Sequence, residues 1–218
     1  MSLLNYTTLN VSSESSQVET FSVSMRPIDI IGDVRHTTND VRAPYRQSDE
    51  ELLSYVNEGL RAAAVLRPDL FASVELHLCD SVKVHQRLSF SRASALLDVF
   101  GVENGGAMRR FDIDAMNAFN PEWRHGETGM AREWSPLPGD PVAFVINPPA
   151  PANQLLRVRY VRNPKRYELE EVIGELPEVF RPALVAYVVY RAESKDDEHV
   201  LNARAGAAYE VFKNMLKG

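Results

Sequence analysis

The feature that most constrains this chain is a double change of hydrophobic period. Apolar residues recur at helical spacing up to residue 66, alternate in twos from roughly 72 to 162, and return to helical spacing from 180 onward. Such a chain must pack helices from both ends against a sheet drawn from its middle. The expected class is α+β: an antiparallel helical bundle, residues 26–70 and 177–218, with a β-rich insertion at 71–176. An extended N-terminal arm, residues 1–25, precedes it.

Residues 1–24 hold seven serines and three threonines and no lysine or arginine. That composition cannot bury enough apolar surface to fold alone. Within it Phe21, Val23 and Met25 alternate with Ser22 and Ser24, a period of two that suits a strand added to a neighbour's sheet. From Pro27, tolerated in a first turn, Ile28, Ile31 and Val34 predict a short helix. Ser48-Asp49-Glu50-Glu51 is a capping box that opens a longer one, with Leu52, Val56, Leu60, Ala63 and Leu66 as its stripe and Pro68 as its stop.

In the middle, Val74, Leu76 and Leu78 fall on one face of a strand and Glu75, His77 and Cys79 on the other. Asp80-Ser81 is then expected to turn a hairpin into Val82 and Val84. Further strands are expected at 95–102, 141–146 and 155–161, divided by Gly105-Gly106, Pro138-Gly139 and Pro148-Pro149. Near the end, Phe180, Leu184, Tyr187 and Val188 face Leu201, Ala205, Ala208, Phe212 and Met215 on two packed helices.

Apolar residues make up 44% of the chain and charged residues 25%, a globular balance, and the formal charge of −6 disfavours a protein that coats nucleic acid through bulk positive charge. One cysteine, Cys79, excludes an intrachain disulfide and fits a reducing compartment. The N-terminus lacks the basic and apolar regions of a signal peptide, and the longest apolar run, 185–190, falls far short of the roughly 20 residues a bilayer span needs. These features predict a protein that is cytosolic where it is made and has no membrane contact.

No residue group argues for chemistry. Lys195-Asp196-Asp197-Glu198-His199 could be a metal site, but a carboxylate-bridged bundle site needs matching motifs on other helices; a solvated corner between helices explains the same residues. Asp112 and Asp114 fail as a calcium loop because Met116 and Asn117 stand where a ligand and a glycine are needed. Asp114 reads instead as the N-cap of a short helix. Cys79 with His77 and His85 gives at most a partial thiolate or zinc set, and the nucleophile-elbow, zincin, P-loop and dinucleotide motifs are absent. No catalytic residue, cofactor or metal is expected. In RVRYVRNPKR, Arg157, Arg159, Arg162, Lys165 and Arg166 surround Tyr160, a pattern that could grip a nucleic-acid backbone and stack a base, or meet acids on a neighbouring subunit.

Four stretches in order, SDEELLSYVNEGLRAAAVLRPDLF, FNPEW with the strands around it, DPVAFVINPPAPANQLLRVRYVRNP and ELPEVFRPALVAYVVYRAESKDDEHVLNARAGAAYEVF, resemble the head-to-tail adaptor (connector) proteins of short-tailed bacteriophages. The resemblance implies a non-enzymatic virion protein made in the host bacterial cytoplasm. It would form a homo-oligomeric ring, a dodecamer, under the portal protein, extend the DNA channel and dock tail nozzle or tail fibre proteins. A head-closure or tail-completion protein is the neighbouring possibility, and a nucleic-acid-binding protein the more distant one. The candidate interface residues are Phe21, Val23, Met25, Arg157, Arg159, Arg162, Arg191, Lys195, Asp196, Asp197 and Glu198. The long portal-gripping C-terminal tail of some adaptors has no counterpart before Gly218, so that role is expected either to be missing or to pass to the N-terminal arm.

Overall fold

The computed structural model describes residues 24–195 and 202–217. Among them are five α-helices and two sheets, a mixed α+β fold. The helices are α1 (Pro27–Thr38), α2 (Asp49–Leu66), α3 (Ile113–Phe119), α4 (Arg181–Lys195) and α5 (Asn202–Lys217). The strands are β1 (Ala72–Leu78), β2 (His85–Arg87), β3 (Ala93–Val102), β4 (Arg109–Arg110), β5 (Glu133–Pro136), β6 (Ala143–Asn147) and β7 (Leu155–Arg162).

Local chemistry sets the helix ends. Pro27 opens α1, and Asn39 closes it in the left-handed region at φ 57°. Ser48 caps α2 by accepting the Glu51 N–H at 3.2 Å. The reciprocal half of the capping box is not made. The Glu51 carboxylate instead accepts from Tyr55 Oη at 2.8 Å and Lys195 Nζ at 2.6 Å, because α4 brings a cation within reach. Asp112, not Asp114, caps α3, accepting from the N–H groups of Asp114 and Ala115 at 2.8 and 3.1 Å. A cap must precede the first helical residue to reach the N2 and N3 amides, and the helix starts two residues earlier than the apolar pattern indicates.

One core joins Ile30, Ile31 and Val34 of α1, Leu52, Val56 and Leu60 of α2, Leu184 and Val188 of α4, and Phe212 and Leu216 of α5. On α5 Leu216 is buried and Met215 is half exposed, a one-position shift from the expected stripe. Gly59 allows the α2–α4 approach, since a Cβ there would lie 2.9 Å from the Tyr187 ring. The same core takes in Val161, Tyr167, Ile173 and Leu176. Asn57 fastens that segment by accepting from Tyr167 N–H at 2.7 Å and donating to its carbonyl at 3.0 Å. The chain after β7 therefore packs with the helices, although its number range falls in the expected β-rich insertion.

The first sheet has the order β1-β7-β3, all antiparallel; the second has β2-β6-β5-β4, with β4 parallel to β5. Between them lies a second core of Val99, Trp134, Phe144, Ile146, Leu156, Val158 and Tyr160. The expected hairpin after β1 does not form. β1 pairs with β7, and the chain crosses to β2, which pairs with β6. Buried Gln86 holds this crossing: it accepts from Asp80 N–H at 2.7 Å and donates to the carbonyls of Asp80 and Lys83 at 3.1 and 2.8 Å. A side chain thus satisfies backbone groups that a hairpin ladder would have paired.

Candidate assembly interface

The alternation in β1 is present but its faces are exchanged relative to the expected polarity. His77 and Cys79 are buried, whereas Val74, Leu76 and Leu78 are 50%, 38% and 57% exposed. His77 lies edge-on to Phe144 and Phe90, with ring centroids at 5.5 and 6.2 Å. Burial pushes its imidazole below the ordinary histidine range and pushes the Cys79 thiol up to about 11. Both are therefore neutral near pH 7, and an inert thiol is the opposite of a nucleophile.

The register puts Val74 beside Arg159 and Leu76 beside Arg157 on this outer face, with Asp98 of β3 across from Arg159. Arg157 is exposed and, among the described residues, makes no ion pair. Arg162 sits on the opposite parity and is committed within the chain. It pairs with Glu75 and donates to Tyr160 Oη at 3.1 Å, while Tyr160 donates to Glu75 at 2.6 Å. Tyr160 is fully buried and stacks on Phe90 at 4.8 Å. It has no open face for a base, which removes the aromatic half of the nucleic-acid expectation. Lys165 pairs with Glu171.

On the helices, Arg191 pairs with Glu58 at 2.8 Å and lies over the Tyr55 ring, and Lys195 pairs with Glu51. The hydrogen bond from Lys195, then that from Tyr55, holds the Glu51 carboxyl below its usual range, and burial with Glu51 beside it pushes the Tyr55 phenol up to about 12. These pairs tie α4 to α2 and leave both cations partly exposed. Asp196, Asp197, Glu198 and His199 lie outside the described residues, as do Phe21 and Val23. Met25 is described and is buried in the helical core, its carbonyl accepting from Ile173 N–H at 2.8 Å, so it cannot be an outward contact. An apolar residue directly before a helix packs as readily inward as onto a partner, and the adjoining Ile30 and Ile173 supply the surface.

Sequence reasoning missed several exposed apolar positions. Phe119 is 90% exposed, Val65 81% and Val179 76%. Phe119 ends α3 just before Asn120-Pro121, and an apolar residue ahead of a stopping proline has no next turn to cover it; that was the available signal. In the same FNPEW motif Trp123 turns inward and donates to Asn117 Oδ1 at 3.0 Å. An open cleft of about 460 Å³ runs between Leu70–Ser73 and Gly174–Pro177, lined also by Arg162 and without histidine or cysteine. Among the described residues no three histidine, cysteine, aspartate or glutamate side chains gather as a metal set, and no helix is long and apolar enough to cross a membrane.

In a comparison with protein families, the model described as SU10 adaptor protein matches residues 25–218. No curated protein matches the chain.

Proposed function

Because the chain belongs to the SU10 adaptor protein family, we propose that it is a structural, non-enzymatic virion protein, a head-to-tail adaptor whose ring joins the portal to the tail and extends the DNA channel. The family match over nearly the whole chain carries this reading. Supporting it are the exposed apolar row on β1 beside Arg157, which has no ion pair among the described residues, and the ion-paired outer rims of α2 and α4, which suit protein contact. The formal charge of −6 suits a conduit, since a net acidic chain offers DNA little bulk counterion release and no sequence-specific grip is implied. A dodecameric ring, the portal above and tail nozzle or fibre proteins below are the partners this role implies. Like-charged subunits repel in solution, so the isolated chain is expected to be monomeric or weakly associated and to close its ring on a portal template.

The test is negative-stain imaging and light scattering of the purified chain alone, mixed with its portal, and mixed separately with the tail proteins. A ring seated on the portal only in the mixture is the expected result. A chain that binds the tail side alone supports a head-closure or tail-completion role, and a chain that binds neither refutes the proposal.

A further inference from the structure

β1 is an edge strand whose outer side is unpaired. Cys79 N–H donates to the Gln154 carbonyl at 2.9 Å, continuing the register in which Leu78 lies opposite Leu155. Glu103 N–H donates to the Leu155 carbonyl at 2.9 Å, so Leu155 turns its backbone toward β3. In an antiparallel ladder bonded and non-bonded pairs alternate, so Glu75, His77 and Cys79 direct their backbone groups to β7, while Val74, Leu76 and Leu78 direct theirs outward. Among the described residues no backbone hydrogen bond reaches that outer edge. The same three residues hold the exposed apolar side chains. A long, apolar, uncovered edge is a template for another strand.

We infer that this edge receives residues 17–23, Gln-Val-Glu-Thr-Phe-Ser-Val, from a neighbouring copy of the chain, an assignment that rests on the ring reading above. The lengths match, seven residues against the seven of β1. On one face of a strand Glu19, Phe21 and Val23 fall together. That face supplies apolar groups for Val74, Leu76 and Leu78 and a carboxylate for Arg157, one strand further in and lacking an ion partner among the described residues. Charge agrees, since residues 1–23 contain Glu14 and Glu19 and no lysine, arginine or histidine. Fully extended, those 23 residues span about 75 Å, against a radius of gyration of about 17 Å for a chain this long. They can cross to a neighbour. A donor strand and an acceptor edge on one chain make a heterologous contact, the type that closes rings.

The experiment uses full-length chains on the portal template. In a Cys79→Ser background, Phe21→Cys chains are mixed with chains carrying Val74→Cys, Leu76→Cys or Leu78→Cys and oxidised. A disulfide between two chains, present in rings and absent from the free mixture, is expected. Leu76→Pro removes one outward N–H without touching the bonds to β7, and ring formation should weaken about tenfold, as for a lost interfacial hydrogen bond or two. Val74→Lys with Leu78→Lys, which leaves the backbone intact, should weaken it likewise. If rings form with wild-type efficiency in both variants and no interchain disulfide appears, the inference is overturned while the adaptor reading stands. In a chain carrying both Phe21→Cys and Leu76→Cys, a disulfide that stays within the chain, with none between singly substituted chains, assigns the edge to the chain's own arm and overturns the neighbour. A wild-type chain that never forms a ring overturns the adaptor reading itself.

Discussion

Leu78→Lys and Leu156→Ala, compared in the isolated chain, test which face of the first sheet is the core. Leu78 is 57% exposed and Leu156 is fully buried, although the two leucines sit one register step apart on paired strands. Full burial of a leucine contributes roughly 1.5–3 kcal/mol, so at Leu78, where less than half that surface is covered, the loss is at most about 1 kcal/mol. The lysine stem recovers part of it by lying along the sheet. Leu156→Ala removes a side chain packed between the sheets and should cost about 2–5 kcal/mol, the range for cavity-forming substitutions. Urea denaturation reads both as shifts in midpoint at constant slope. If Leu78→Lys cost more than about 2 kcal/mol while Leu156→Ala cost less than about 1, the burial assigned to β1 would be inverted and the edge would be core.

Two other expectations concern buried polar groups. Arg35 is buried, pairs with Asp40 at 2.9 Å and Asp49 at 2.6 Å, donates to the Gln47 carbonyl at 3.0 Å and stacks on Tyr45. Arg35→Ala removes the ion partner of the buried Asp40 carboxylate, which keeps the Arg46 N–H at 3.1 Å, and should cost about 3 kcal/mol by denaturation; a cost below about 1 kcal/mol would mean that water replaces the pair without loss. His77 binds its proton less readily when folded, because burial penalises the cation. Between the unfolded value near 6.5 and the lower folded one only the unfolded chain is protonated, so stability is full above about pH 6.5 and falls on acidification. Neither His77 ring nitrogen makes a hydrogen bond of good geometry, although the Gln86 side chain favours the protonated ring, and Phe144 packs edge-on against it, so His77→Phe should fold about as well and lose stability less steeply from pH 6.5 to 5; an unchanged slope would contradict this.

Helices were legible because their signals are local. Pro27, Ser48 and Pro68 act within one turn, and each stands where the structure starts or stops a helix. The long strands β3 and β7 were legible from their period. β4 and β5 were not, since strands of two and four residues carry too few alternations to register. The false hairpin and the misplaced Asp114 cap share a cause. In both places a side chain, Gln86 or Asp112, satisfies backbone groups from a position that periodicity does not reveal. Of the candidate interface, Arg157 and Arg159 lie together on the exposed face, Arg162 belongs to a ion cluster with Glu75, and Met25 is core.

The exchanged faces of β1 follow from its partner. Alternation fixes which residues share a face but not which face is inside. In β7 one parity is Leu156, Val158 and Tyr160 and the other carries Arg157 and Arg159, so charge leaves a single choice for the core. The register then binds β1 to that choice, because His77 lies opposite Leu156 and Glu75 opposite Val158. Burying Val74, Leu76 and Leu78 instead would bury Arg157 and Arg159 with them, and two desolvated guanidinium groups cost more than three half-exposed aliphatic side chains could offset. The apolar row is thus held outward by the arginines next to it, and the surface on which the two kinds of group meet suits a partner strand that brings both a carboxylate and apolar side chains.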